Sequence, residues 1–274
     1  MINLLKIEWL KIKNYNAFKV MSIFFVAGIF LANYIVYYMQ RSFADATAEI
    51  PIMGGFSPYS FESTWQTTSY VTGYLLLLPA MLTIMLLTNE YSFKTNRQNV
   101  IDGWSRHEFI IVKIMMALII AIISTILVII TALAFGLISK TDFSLNSFSH
   151  VGFFFLKALT YNLFAVLISV LIKKTGFAMG IFFIYIGAEN IASQLLNAFS
   201  KYIKVQNKID LGSIGNYLPM NAADGLLTFP ENPMTSMVNK ASATDYVYVI
   251  LAFAIAYIVL FAWWSRRKYM TTDL

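Results

Sequence analysis

Side chains able to do covalent or metal chemistry are few in this sequence, and their spacing is wrong for it. The two histidines are His107 and His150. His107 opens HEFII, which begins like a zinc-protease helix, but residue 111 is Ile where the metal face needs a second histidine. There is no cysteine, so thiol nucleophiles, disulfides and cysteine metal sites are excluded. No G-x-S-x-G elbow occurs, and no apolar run carries the pair of aspartates an intramembrane protease would use. A G-x-x-x-x-G-K-[ST] loop is also missing, so the chain cannot cradle ATP phosphates in the P-loop manner. The sequence points away from an enzyme and from a resident metal.

One acid stands out. Glu189 lies in IYIGAENIASQLL, inside a long apolar run. A carboxylate at bilayer depth costs about 2.5–3.5 kcal/mol on insertion scales unless it faces protein or water, and so marks a functional position by default. Together with Asn190, Ser193 and Gln194 it could line a translocation pathway. Alternatively the helix ends there and leaves Glu189 near the outer interface. Earlier in the same run Gly176 and Gly180 form a G-x-x-x-G, which permits close helix approach.

The elements that must position these residues are membrane helices. The chain is 58% hydrophobic and 12% charged, with a mean hydropathy of +0.66. Runs of about twenty apolar residues are long enough to cross the hydrocarbon core. Six are expected, at about 18–38, 69–88, 109–138, 151–172, 177–199 and 246–264. Backbone hydrogen bonds must close within each segment in lipid, so the spans are helices and the fold is all-α. The third run exceeds bilayer length, which implies tilt or an extension beyond it. Nearly all of the 274 residues then form one membrane domain with no room for a soluble catalytic unit.

Thirteen of the twenty Lys and Arg residues, among them Lys6, Lys11, Lys94, Arg106, Lys173 and Arg266, fall on one side of these spans, which should therefore be cytoplasmic. Both termini are then inside. The +6 net charge serves topology and gives no nucleic-acid surface. Tyr34, Tyr38, Trp65, Trp263 and Trp264 fall at the expected interfaces as aromatic belts do. Residues 2–17 place Ile2, Leu5, Trp9 and Ile12 on one helical face, which suits a helix lying on the inner surface. Longer outer loops are expected at 39–68 and 200–245.

Residues 89–113, NEYSFKTNRQNVIDGWSRHEFIIVK, form the longest internal cytoplasmic loop on this topology. Its charges alternate with Phe93, Val100, Ile101 and Trp104, and apolar side chains on a short polar segment need something to pack against. The protein's own helix ends or lipid headgroups would serve, and so would a partner. Glu90, Thr95, Arg97, Ser105-Arg106 and Lys113 follow the order and approximate spacing of the loop in ABC-2 type permeases, and LLKIEWLKIKNY resembles the amphipathic start of such permeases. The chain resembles this family over its whole length, departing from the pattern at Lys94, Gly103-Trp104 and Val112.

The resemblance implies a single transmembrane domain over 1–274, with an N-terminal interface helix and a cytoplasmic coupling helix between the second and third spans. Glu90, Phe93, Thr95, Arg97, Ile101, Trp104 and Arg106 would meet a separate ATPase subunit, which would hold the ATP and Mg; this chain would carry no cofactor. A second copy or a related permease would complete an export pathway in a bacterial cell membrane. From other classes, a non-transporting anchor or sensor, or an ATP-independent channel or carrier, would also fit six spans.

Overall fold

The structure, a computed structural model, describes residues 2–46, 59–101, 103–230 and 246–271. The middle of the 39–68 loop and the end of the 200–245 loop, with Lys240, lie outside the described residues, as do the side chains of Ile2 and Val100. What is described is helical, with no strand, and contains six helices long and apolar enough to cross a membrane, as a multi-pass membrane protein has.

Helix α1 (Ile2–Lys13) precedes α2 (Asn16–Ala46), the first span. The second span is α3 (Thr64–Gly73) and α4 (Leu77–Ser92), joined by a 3-10 turn at Tyr74–Leu76. Pro79 accounts for the turn, because it offers no N–H to the Leu75 carbonyl and its ring crowds that oxygen. This span begins at Thr64, earlier than the expected 69. Hydropathy passes over the polar TWQTTS, but Thr64, Thr67, Thr68 and Ser69 are buried there, and Thr67 returns its hydroxyl to the Ser63 carbonyl at 3.1 Å.

A short α5 (Thr95–Ile101) leads to α6 (Arg106–Ile138), then α7 (Ser149–Ile172) and α8 (Thr175–Asn207). Lys173, in the left-handed region at φ 57°, ends α7, and Lys174 follows directly into α8. After α8 the chain makes a 3-10 turn at Ile214–Tyr217 and a single helical turn, α9 (Asn221–Asp224). The last span is α10 (Val247–Thr271).

Helix α7 is the hub, with 72% of its apolar window buried against 17% for α2, α8 and α10. It touches α3, α4, α6, α8, α9 and α10. Small residues let α6 approach it: Ala117, Ala121, Ser124, Val128, Thr131 and Ala132 recur at three- and four-residue intervals on the buried face of α6. The apolar faces of α2 and α8, including Ile23, Phe24, Leu31, Ile184 and Leu195, remain exposed, as surfaces meeting lipid or another chain do.

Two expectations change. Trp65 is buried, 2% exposed, with its indole N–H on the Ser144 carbonyl at 2.9 Å, so it ties α3 to the α6–α7 connection and is no belt residue. Trp9 is 52% exposed and meets Phe18 edge-on, while Glu8 occupies the buried face of α1 beside Ile12. The stripe is rotated because Glu8 has ionic partners in the bundle.

Candidate functional site

The segment from Asn89 to Lys113 is folded tightly onto one end of the bundle. Helix α4 stops at Ser92, and Lys94, with φ 56°, reverses the chain into α5. Gly103 at φ 99° then turns it back, a conformation open to Gly and strained for other residues. The Ser105 hydroxyl accepts the Glu108 N–H at 3.1 Å while the Glu108 carboxylate accepts the Ser105 N–H at 2.9 Å, a capping box that fixes where α6 begins.

Within α5 the two asparagines face inward, while Arg97 and Gln98 face out. Asn96 and Asn99 are buried, whereas Phe93 and Ile101 are 76% and 77% exposed, with Arg97 exposed between them. Thr95 is half-buried and donates to the Glu90 carbonyl at 3.4 Å. Trp104 packs against the main core, its ring 5.6 Å from the Lys11 ammonium. Arg106 is half-buried at the first turn of α6. Of the residues singled out by sequence, Phe93, Arg97 and Ile101 are therefore exposed around α5, and Trp104 and Glu90 belong to what supports it.

The support is ionic. Lys113 of α6 donates to Glu8 of α1 and, at 2.7 Å, to Oε1 of Glu90 on α4. Lys11 donates to the other Glu8 oxygen at 3.0 Å and to Asn99 Oδ1 of α5 at 3.3 Å, and lies 3.5 Å from Glu90 Oε1. Glu8, Glu90 and Lys113 are buried. Two acids and two bases thus balance, and each buried charge has an opposite partner, without which it would be severely destabilising. Burial pushes the Glu8 carboxyl upward, but the charges and hydrogen bonds of Lys113 and Lys11 outweigh it and hold Glu8 below the ordinary carboxylate value. Glu8 was not anticipated. Its one local signal is the Lys11 three residues on, since the pairing with Lys113 spans 105 positions.

A second polar site lies deeper. Helix α8 runs without a break through Glu189, which corrects the expectation of a helix end there. No proline or glycine follows Glu189 within the helix, and one oxygen of its carboxylate is held by tertiary contacts. Oε1 accepts the backbone N–H groups of Met220 at 2.6 Å and Asn221 at 2.8 Å, and the Asn221 side-chain amide at 3.1 Å. Ser193, buried one turn further, lies against Gly215, where a side chain would strike the Ser193 carbonyl and hydroxyl. Asn197 Oδ1 accepts the Gly215 N–H at 2.8 Å. The polar face of α8 therefore seats residues 212–224. Asn190 donates to its own helix at Ile186, 3.0 Å away. Gly176 and Gly180 have no neighbour within 4 Å of the position a Cβ would take.

The other edge of that segment is held by charge. Asp224 pairs with Lys157 of α7 at 3.1 Å, and both its oxygens accept from Tyr161 at 3.0 Å. The Lys157 ammonium also lies over the Tyr74 and Tyr161 rings, at 5.5 and 5.6 Å. Neither Lys157 nor Asp224 was singled out by sequence. A lysine nine positions into the fourth span was the available signal. Among the described residues no three acids or histidines gather as a metal site would require. The chain matches no protein-family model and no curated protein.

Proposed function

We propose that this chain is the permease subunit of an ATP-driven exporter of the ABC-2 type. On this reading α1 and the loop carrying α5 are cytoplasmic, α1 is an interface helix, and α5 is the coupling helix that seats in a separate ATPase subunit. The observation that carries the proposal is the exposure of Phe93 just before α5 and of Arg97 and Ile101 on it, on a segment braced by buried ion pairs. A large apolar side chain left exposed at a rigid, polar end of a bundle is suited to a protein groove, where aromatic and Arg anchors dominate binding. The brace supplies what a mechanical joint needs: force on α5 passes to α1, α4 and α6 together. A second copy, or a related permease, completes the pathway, and ATP with Mg acts on the partner. The setting is a bacterial cell membrane with both termini inside, as the distribution of Lys and Arg supports.

The test is gentle purification of the tagged chain expressed with its neighbouring genes, followed by mass spectrometry and an ATPase assay. A near-stoichiometric P-loop ATPase, lost on replacing Phe93, Arg97 and Ile101 with alanine, is the expected result. Purification without any ATPase would return the chain to the anchor or ATP-independent pathway readings.

A further inference from the structure

Helix α10 contains no acidic residue and closes on the run Arg266-Arg267-Lys268. Its buried stripe of Phe261, Ser265 and Tyr269 turns inward, and the Tyr269 ring stacks on Phe109 of α6 at 4.9 Å, so this end of α10 lies where α6 begins. The outward face carries Ile255, Val259, Trp263, Arg266 and Arg267, which share one side of a helix at three- and four-residue spacing. All five are exposed, Val259 at 62% and Trp263 at 52%. From Ile255 to Arg266 the face passes from aliphatic to aromatic to cationic over about 16 Å, close to half of a hydrocarbon core of ~30 Å. It therefore follows one leaflet from acyl chain to headgroup. The Arg267 guanidinium folds back over the Trp263 ring one turn earlier, 5.2 Å from its centroid, which holds it at the depth of the indole. Among the described residues neither Arg266 nor Arg267 forms an ion pair, so two consecutive guanidiniums stand without an opposing charge. The bias of cations toward one side of a membrane asks only for charge near a span's end, and does not account for an arginine laid on a tryptophan.

We propose that this face of α10 binds an anionic phospholipid, its phosphate accepting from Arg266 and Arg267 in the forked geometry that guanidinium offers, and an acyl chain lying along Val259 and Ile255. A lipid is favoured over a soluble anion because the two arginines end an exposed apolar face on a membrane span. The same aliphatic residues, at acyl-chain depth, favour it over a protein. Charge selects the headgroup: phosphatidylcholine brings its own cation, and this helix has no carboxylate to receive it, whereas phosphatidylglycerol leaves its negative charge to the arginines. Neither the ATPase partner nor transport is needed for this binding, so the inference stands or falls apart from the proposed function.

The experiment is native mass spectrometry of the purified chain titrated with phosphatidylglycerol or phosphatidylcholine of matched acyl chains, with thermal unfolding recorded alongside. Wild type should retain phosphatidylglycerol about thirtyfold better, a factor of about five for each arginine. The double change Arg266→Gln, Arg267→Gln should remove the preference and, being confined to exposed side chains, should unfold as wild type does. Trp263→Leu keeps every charge and should cut the preference about threefold by releasing the Arg267 guanidinium. Lys13→Gln, Lys174→Gln removes the same charge from exposed positions at the same end of the bundle and should leave the preference intact. Equal retention of the two lipids overturns the proposal, as does a preference that survives either the arginine change or Trp263→Leu. An equal fall in the two double variants would mean a diffuse field in place of a site, and also overturns it. So does displacement of the lipid by soluble glycerol phosphate, which would give the arginines to a free anion. Loss of ATPase capture in the arginine variant, with no lipid preference in wild type, would give them to a protein and overturn it as well.

Discussion

Lys113 stands 2.7 Å from Glu90 and closes the same ammonium on Glu8, so one cation joins α6, α4 and α1 at the end of the bundle that carries α5. Breaking such a buried arrangement by removing one partner costs on the order of 3–5 kcal/mol, because it leaves charges buried and unpaired. Lys113→Met should therefore lower unfolding stability in detergent by about that amount. The triple variant Glu8→Gln, Lys113→Met, Glu90→Gln should lose far less than the sum of the three single changes. Strictly additive losses would show that the groups do not act as a unit.

The same cluster sets a pH dependence. Folding lowers the Glu8 carboxyl below its ordinary value of 4.5: burial opposes this, and Lys113 and Lys11 prevail. A carboxyl depressed by folding contributes its stability above the unfolded value, and the contribution disappears as pH falls through the lower folded value. Thermal unfolding followed from pH 7 down to about pH 3 should show wild type losing its advantage over Glu8→Gln, with the loss opening below about pH 4.5. Parallel curves for the two proteins would mean that Glu8 titrates alike in the folded and unfolded chains.

How far the sequence carried the reading follows from the range of each interaction. Six spans were legible because hydropathy is a local sum, and they match the helices to within a few residues at most ends. Glu189 was legible as an anomaly, since an acid within an apolar run is costly wherever the rest of the chain lies. Its role as a seat for Met220 and Asn221 was not, because that depends on a segment more than thirty positions away folding back. Glu8 and Lys113 each look like ordinary interfacial charges when read alone. Likewise Trp65 carries a belt residue's signal, and only packing against the α6–α7 connection distinguishes it.

The seat of residues 212–224 offers a paired test. Glu189→Ala removes the acceptor of three donors at once, and unsatisfied buried donors cost about 1–3 kcal/mol each, so a loss of several kcal/mol is expected. Glu189→Gln keeps an acceptor oxygen and should recover much of it. Gly215→Ala should be as harmful as Glu189→Ala, because its Cβ would overlap backbone at Ser193 that cannot step aside. Limited proteolysis within 208–230 and thermal unfolding report both. A harmless Gly215→Ala would mean that the segment is not seated on α8.

Lys157 and Asp224 should show reciprocity. Among the described residues, Lys157→Met strands a carboxylate left with Tyr161 alone, and Asp224→Asn strands an ammonium left with aromatic rings. Each single change should destabilise more than the double change Lys157→Met, Asp224→Asn, with a coupling of about 1–2 kcal/mol, the upper range for polar contacts within membranes. A coupling near zero by double-mutant cycle would reduce the pair to coincidence.

The face and its support should separate under mutation. Phe93 and Ile101 are more than three-quarters exposed, so Phe93→Ala and Ile101→Ala should alter unfolding stability by no more than about 0.5 kcal/mol. Trp104 packs on the core and faces Lys11, and Trp104→Ala should cost about 3 kcal/mol, as truncation of a packed aromatic does. If α5 is a coupling helix, the two silent changes should nonetheless weaken capture of the ATPase about tenfold or more, since anchors at the centre of an interface are worth about 2 kcal/mol. Stability and capture measured on the same three variants distinguish a docking surface from a lipid-facing one. Loss of capture in step with stability would place Phe93 and Ile101 in the fold, and full capture with Phe93 and Ile101 both replaced would remove them from the joint.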